Sequence, residues 1–172
     1  MFQMDGFFSS ENPFLARLWH FWQQGAVLLS RYSFTGHWDP LTANAVGESD
    51  TFSIDPSIDF VLLEINFVAY GTTGDQNTAV LSPNVLLSLS EKSGANLFSD
   101  EAHHVGLWTG ASQNGRRIQS LCFPRLLRGN NEILASLTNN AGTPMEVWLG
   151  FEGIRVTYVN TQRQEVFPGM AF

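Results

Sequence analysis

Few side chains in this chain have types and spacings suited to chemistry. The most suggestive are Glu146 and Glu152, which alternation places with Trp148 on one face of a strand, while Met145, Val147, Leu149 and Phe151 point the other way. Paired carboxylates hydrolyse glycosides, and an exposed indole packs on sugar rings. Along an extended strand these two acids lie about 20 Å apart, beyond the roughly 5 to 10 Å an acid–base pair spans. Trp148 is left as a contact residue, for subunit packing or for a ligand. Glu101, His103 and His104 bring a cupin-like metal site to mind, but neighbouring strand residues face opposite ways, so His103 and His104 cannot reach one ion from a regular strand. His20 and His37 lie far off, and the pair reads as an exposed loop.

Other motifs dissolve on inspection. Asp100 to His103 spells Asp-Glu-Ala-His, yet no Gly-x-x-x-x-Gly-Lys loop exists to cradle a triphosphate. Gly110 to Asn114 approaches a nucleophile elbow, but Asn114 stands where glycine is needed, so this stretch reads as a polar surface loop. Cys122, between Leu121 and Phe123, reads as an inert core thiol. No constellation imposes a reaction. The expectation is a non-enzymatic protein with no cofactor and no metal.

Composition narrows the partners. A chain of 172 residues fits one domain, and 44% hydrophobic with 15% charged residues excludes a disordered one. A formal charge of -7 with nine Lys and Arg argues against a nucleic-acid surface. No apolar run reaches the roughly 18 residues of a membrane span; Phe60 to Tyr70 is interrupted by Glu64 and Asn66. A single cysteine and a start lacking a basic, apolar leader point to synthesis in a reducing cytoplasm. Fourteen Phe and five Trp are many, and some are expected to face a partner.

The elements that position these residues are mostly strands. Residues 1–12 read as an arm. Asn12 and Pro13 look like an N-cap and first helical position, and Gly25 like a C-terminal stop, around an amphipathic helix carrying Phe14, Leu15, Leu18, Trp19, Phe21 and Trp22. That helix packs on its own sandwich, docks on another subunit, or lies on a membrane surface; its single Arg disfavours the last. Strands are expected at Ala26–Phe34, Thr51–Ile54, Asp59–Ala69, Val85–Leu89, Asn96–Phe98, His104–Thr109 and Ser120–Phe123, with His37 to Pro40 and Gly71 to Ser82 as loops. Ile133–Val156 reads as an antiparallel hairpin with one buried face, its turn made by Asn139 to Gly142, which tolerate positive φ. Gly153 falls where the inward parity changes from Phe151 to Ile154, as a glycine bulge would require. The tail has no period. The fold class is therefore mostly β: an antiparallel, jelly-roll-like β-sandwich over 26–160, with an arm and helix over 1–25 and a tail over 161–172.

The run Asp59 to Ile65, a long polar loop, Leu126 to Asn130, and then Ile133 to Asn139 with Val147 to Arg155 resemble small β-sandwich virion proteins of tailed bacteriophages. The resemblance covers roughly residues 50 to 157 and rests on alternation and turn chemistry. It implies a structural protein of the capsid surface, neck, tail or spike, with no catalytic residues. The expected role is a capsid-associated decoration or cement protein, located in the virion, made in the host cytoplasm and forming a homo-oligomer. Its partners would be the major capsid protein or other virion proteins, through Phe7, Phe8, Phe14, Trp19, Trp22 and Trp148. Two rivals stand beside it: a carbohydrate-binding or host-recognition module using Trp38, Trp108 or Trp148 on a surface glycan, and a cupin-like metalloenzyme.

Overall fold

The structure is a computed structural model that describes residues 13–71, 80, 83–91, 101–109 and 116–168, with side chains at 108–109, 116–120 and 122–123 outside the description. The arm with Phe7 and Phe8, the cap at Asn12, the strand expected at Asn96–Phe98, the loop at Gly110 to Asn114 and the thiol of Cys122 fall outside it, as does most of Gly71 to Ser82.

Among the described residues eight strands carry the architecture: β1 Val27–Leu41, β2 Glu48–Ser53, β3 Ile58–Gly71, β4 Val85–Glu91, β5 His103–His104, β6 Arg116–Leu127, β7 Glu132–Asn139 and β8 Met145–Tyr158. They form two four-stranded antiparallel sheets, one ordered β1-β8-β3-β6 and the other β2-β7-β4-β5. Strands β1 and β8, β2 and β7, β3 and β6, and β4 and β5 pair as the rungs of one long double strand. Coiling that double strand brings β3 against β8 and β4 against β7. This is the winding of a jelly roll, and it follows from alternation: each strand has one apolar face, and wrapping buries all of them together. Phe60, Leu62, Ile65, Phe67 and Phe151 from the first sheet meet Phe52, Leu87, Leu89, Ile133 and Leu137 from the second in the main core.

Several expectations change. Strands β7 and β8 do not form a hairpin, because they lie in different sheets. Their alternating apolar faces meet across the sandwich, and the connection between them is an arch. Alternation fixes which face is buried, but it does not fix the neighbour. The arch uses no positive φ at Asn139 or Asn140; among the described non-glycine residues that conformation belongs to Asn44 and Asn130. Asn139 works through its side chain instead. Fully buried, its Nδ2 donates to the carbonyls of Thr42 and Thr143 at 2.9 and 3.1 Å, and its Oδ1 accepts from the Ala141 N–H at 2.9 Å. His37 to Pro40 are not a loop but part of β1, with Trp38 only 7% exposed in the core. The stretch expected as a strand at His104–Thr109 is mostly the short helix α2, Val105–Thr109.

The bulge expected at Gly153 sits on β3. Strand β8 holds one register against β1 from Tyr158 to Val147, whereas Leu62 pairs with Gly153 and Glu64 with Glu152, leaving Leu63 as the extra residue. On its other side Leu62 pairs with Arg125 and Glu64 with Ser120, so Leu121 to Pro124 stand opposite Leu63. Pro124 lacks a ladder donor and suits an irregular edge strand. Gly153 is needed because a Cβ there would lie 2.0 Å from the Val61 carbonyl oxygen.

Ile154 and Val156 are buried on the opposite face from Phe151, because that end of the first sheet is covered. Helix α1, Pro13–Gln23, buries Leu15 and Leu18 there with Val27, Val61, Ile154 and Val156, joined by Val166 and Phe167 from α3, Arg163–Val166, and the residue after it. Phe14 stacks on Phe167 with ring centroids 5.1 Å apart, and Arg17 donates to the Val166 carbonyl at 2.8 Å and to the Glu165 carbonyl at 2.6 Å. The helix stops as Gly25 suggests: φ is +68°, the Gly25 N–H donates to Trp22 O and the Ala26 N–H to Phe21 O, the two bonds of a Schellman motif. No described helix is long and apolar enough to cross a membrane.

Candidate functional site

The remainder of the first sheet's outer face, beyond the helices, is open and polar. Cross-strand register lays its residues in rows over β1, β8 and β3: His37, Trp148, Val68; then Thr35, Gly150, Asn66; then Ser33, Glu152, Glu64. Gly150 in the middle row has no side chain, so the taller neighbours enclose a groove of about 190 Å³ above it. Asn66 gives ordinary van der Waals room even to a Cβ at Gly150, at 3.5 Å from its own Cβ. Backbone crowding therefore does not require glycine here; filling the position would raise the groove floor.

The upper wall is fixed. The His37 ring stacks on the Trp148 indole with centroids 3.7 Å apart and planes 15° from parallel. Trp148 Nε1 donates to Glu146 Oε1 at 2.9 Å, and His37 Nε2 lies 2.9 Å from the same oxygen. Glu146 thus bridges the two rings. On the lower wall Glu152 Oε1 accepts from Asn66 Nδ2 at 2.5 Å, while Oε2 pairs with Arg31. The Glu152 carboxylate, by hydrogen bond and then by charge, holds the Arg31 guanidinium above its usual pKa.

Asn66 is the unusual member. It is 8% exposed, and its Oδ1 is buried with no hydrogen-bond partner among the described residues. An ionised carboxylate only accepts, so the amide nitrogen must face Glu152, and Oδ1 is left as the unsatisfied acceptor. Leaving such an atom buried and unpaired costs about 1 to 3 kcal/mol.

A second polar cluster lies under the helices. Asp59 is fully buried; its Oδ1 accepts from Arg163 at 2.8 Å and from the Gly129 N–H at 2.8 Å, and Oδ2 accepts from Tyr158 Oη at 2.5 Å. Burial first, and then the Asp59 carboxylate, push the Tyr158 phenol well above its usual pKa. All three partners serve structure, tying α3, β8 and the β6–β7 turn together.

The residues singled out from sequence are dispersed. Trp148 is 37% exposed beside the groove, and Glu146 and Glu152 share its face as alternation predicts. Phe14 is half-buried against Phe167, and Trp19 stacks on Trp22, which is 38% exposed. Trp38, a candidate sugar platform, is in the core, and the side chain of Trp108 lies outside the description. His103 and His104 are half-buried on β5, opposite Leu87 and Leu86, and the Gly106 N–H donates to His104 Nδ1. Among the described residues, the metal-type ligands within 4.8 Å of one another are His37, Asp39 and Glu146, two of them already committed to Trp148. Sequence reasoning missed Asn66, Gly150 and His37 as neighbours of Trp148, and Arg31 as the partner of Glu152. A glycine inside an alternating strand, and an asparagine inside an apolar one, were the available signals.

No family model and no curated protein matches the chain. Among solved structures it is similar to a family 35 carbohydrate-binding module from Clostridium thermocellum, at 16% identity over 73% of this chain and 90% of that one, with a TM-score of 0.33. It is also similar to the structure of infectious bursal disease virus, Gt strain, at 14% identity over 80% of this chain and 33% of that chain, with a TM-score of 0.35. A third is the decameric BFDV capsid protein, at 12% identity over 76% of this chain and 98% of that chain, with a TM-score of 0.32. The assignment to a jelly roll stands on the strand order itself, and these distant likenesses add nothing to it.

Proposed function

We propose that this is a non-enzymatic structural protein of a virion, a decoration or cement subunit of a tailed-phage capsid that acts by packing against copies of itself and against the major capsid protein. The resemblance of residues 50 to 157 to such proteins supports the reading. The observation that carries it is the outer face of the second sheet. Its rows read Ser49, Ser136, Ser88; Thr51, Leu134, Ser90; and Thr138 beside Leu86. In a chain of net charge -7, the outward residues of these rows are uncharged, with Glu132 only at the end of β7. Short hydroxyl and leucine side chains on a twisted plane allow close approach of another protein, and depletion of charge marks the centre of interfaces.

The sheet's edge is arranged differently. Glu48 and Asp50 occupy the core-facing register of edge strand β2, a placement that discourages strand-to-strand addition. Contact is thereby directed to the face. Light scattering on size-exclusion eluate should show an oligomer for the native chain, and a monomer that still unfolds cooperatively for the single change Ser136→Asp. A native chain that is monomeric at about 100 μM, a concentration ample for a micromolar contact, removes the homo-oligomer. Absence of the chain from purified particles by mass spectrometry removes the virion role.

A further inference from the structure

We propose that His37, Asp39 and Glu146 form a binding site for a divalent transition-metal ion of the zinc type. The inference goes beyond assembly and uses the opposite face of the sandwich, so either can fail alone. One donor atom from each of the three residues lies within 4.8 Å of the other two. Strands β1 and β8 bring them together. Trp38 is anchored in the core, so its neighbours His37 and Asp39 both project from the outer face. The register then shifts: Trp38 pairs with Val147 and Leu41 with Met145, so Asp39 and Pro40 together stand opposite Glu146. Such an irregularity re-aims a side chain, and here it brings Asp39 to the Glu146 carboxylate.

Orientation and charge both favour an ion. Stacking on Trp148 uses the face of the His37 ring and leaves Nε2, in the ring plane, 2.9 Å from Glu146 Oε1. Trp148 Nε1 donates to the same carboxylate, which has lone pairs for further partners. Trp148 thus holds two of the three donors from behind, as outer partners of metal ligands do. The carboxylates of Asp39 and Glu146 are close like charges, and among the described residues no Lys or Arg pairs with either. A cation between them replaces that repulsion with attraction. All three donors are reachable from solvent: His37 and Asp39 are exposed, and the Glu146 side chain keeps 27% of its surface. The donor set selects the ion, because an imidazole nitrogen with two carboxylate oxygens suits zinc and its neighbours, whereas calcium and magnesium favour oxygen alone. An ion about 2.1 Å from each donor holds them about 3 to 3.5 Å apart, a contraction within reach of exposed side chains. Three protein donors leave a coordination position to water.

Isotope-labelled full-length chain, cleared of metal with a chelator, would be titrated with zinc chloride and, separately, with calcium and magnesium chloride, following the Trp148 indole N–H and the His37 ring signals by NMR. The expected result is that zinc shifts both, saturating at one ion per chain in the micromolar range, while calcium and magnesium at about 1 mM do not. Asp39→Asn and Glu146→Gln each remove one charge and keep the shape, and each should weaken zinc binding about tenfold or more. Asp39 is exposed, so Asp39→Asn should leave thermal unfolding unchanged and decides the matter if the Glu146 variant does not fold. The proposal is overturned if zinc up to about 1 mM leaves the Trp148 and His37 signals in place, including the case in which only His20, His103 or His104 responds. It is equally overturned if calcium or magnesium binds as tightly as zinc, or if Asp39→Asn binds zinc with native affinity.

Discussion

Tyr158 illustrates how one buried side chain sets the behaviour of a corner. Its phenol is raised above the usual value by burial and by the adjacent Asp59 carboxylate, to which it donates. A group whose folded pKa exceeds its unfolded one contributes stability that is complete below the unfolded value, about 10 for tyrosine, and is lost as pH rises beyond it. Stability of the native chain should therefore decline above about pH 10. Tyr158→Phe should start lower by about 1 kcal/mol, having left Asp59 Oδ2 without this donor, and should fall less steeply through the same alkaline window. Chemical denaturation at pH 7 and pH 11 measures both; parallel losses in the two proteins would show that another group governs the alkaline limb. At this scale the sequence was partly readable. Alternation placed Glu146, Trp148 and Glu152 on one face, but their true partners, His37, Arg31 and Asn66, come from strands distant along the chain, and no local pattern encodes those pairings.

At the scale of elements, the N-terminal helix has work to do within its own chain. Leu15 and Leu18 cover Val27, Val61, Ile154 and Val156, and Arg17 reaches the carbonyls of α3. Removing residues 1–24 should expose that second core and lower the melting temperature by about 10 °C or more, with dye binding to the uncovered surface. Unchanged melting would mean the sheet is covered by something else. Amphipathic spacing shows that a helix has an apolar face without showing what lies beneath it. Strand legibility had the same limit. The buried faces of β4, β7 and the first half of β8 were plain from period two, but not that of β3: period two puts Val61 and Leu63 with Ile65, Phe67 and Ala69, whereas the bulge at Leu63 leaves Val61 and Leu63 on the helix-covered face. The sheet to which each strand belongs was not plain either, so β7 and β8 read as a hairpin when they are an arch. The length of β1 was hidden by His37 to Pro40, whose residue types suggest a loop while Trp38 anchors them in the core. The capping glycine was legible because its backbone geometry is local.

For the whole molecule, the two outer faces differ: one is closed at one end by helices and grooved at the other, while the described outward residues of the second are uncharged apart from Glu132 at the end of β7. The winding has a further consequence for how such a chain is made. Strand β8, near the end of the sequence, lies between β1 and β3, and pairs with both. Until it is synthesised, β1 has no neighbour in its sheet, so the earlier strands cannot complete half of the sandwich as they emerge. A chain ending at residue 144 should show no cooperative unfolding transition, and refolding of the full chain should fall in the slow range of proteins dominated by distant pairings. A cooperative transition in the shortened chain would show that the second sheet folds alone. A nascent chain with so late a keystone spends most of its synthesis with apolar faces uncovered. Its production in quantity then depends on how fast translation ends and what shields the chain until that moment, a demand on the producing cell written into the strand order.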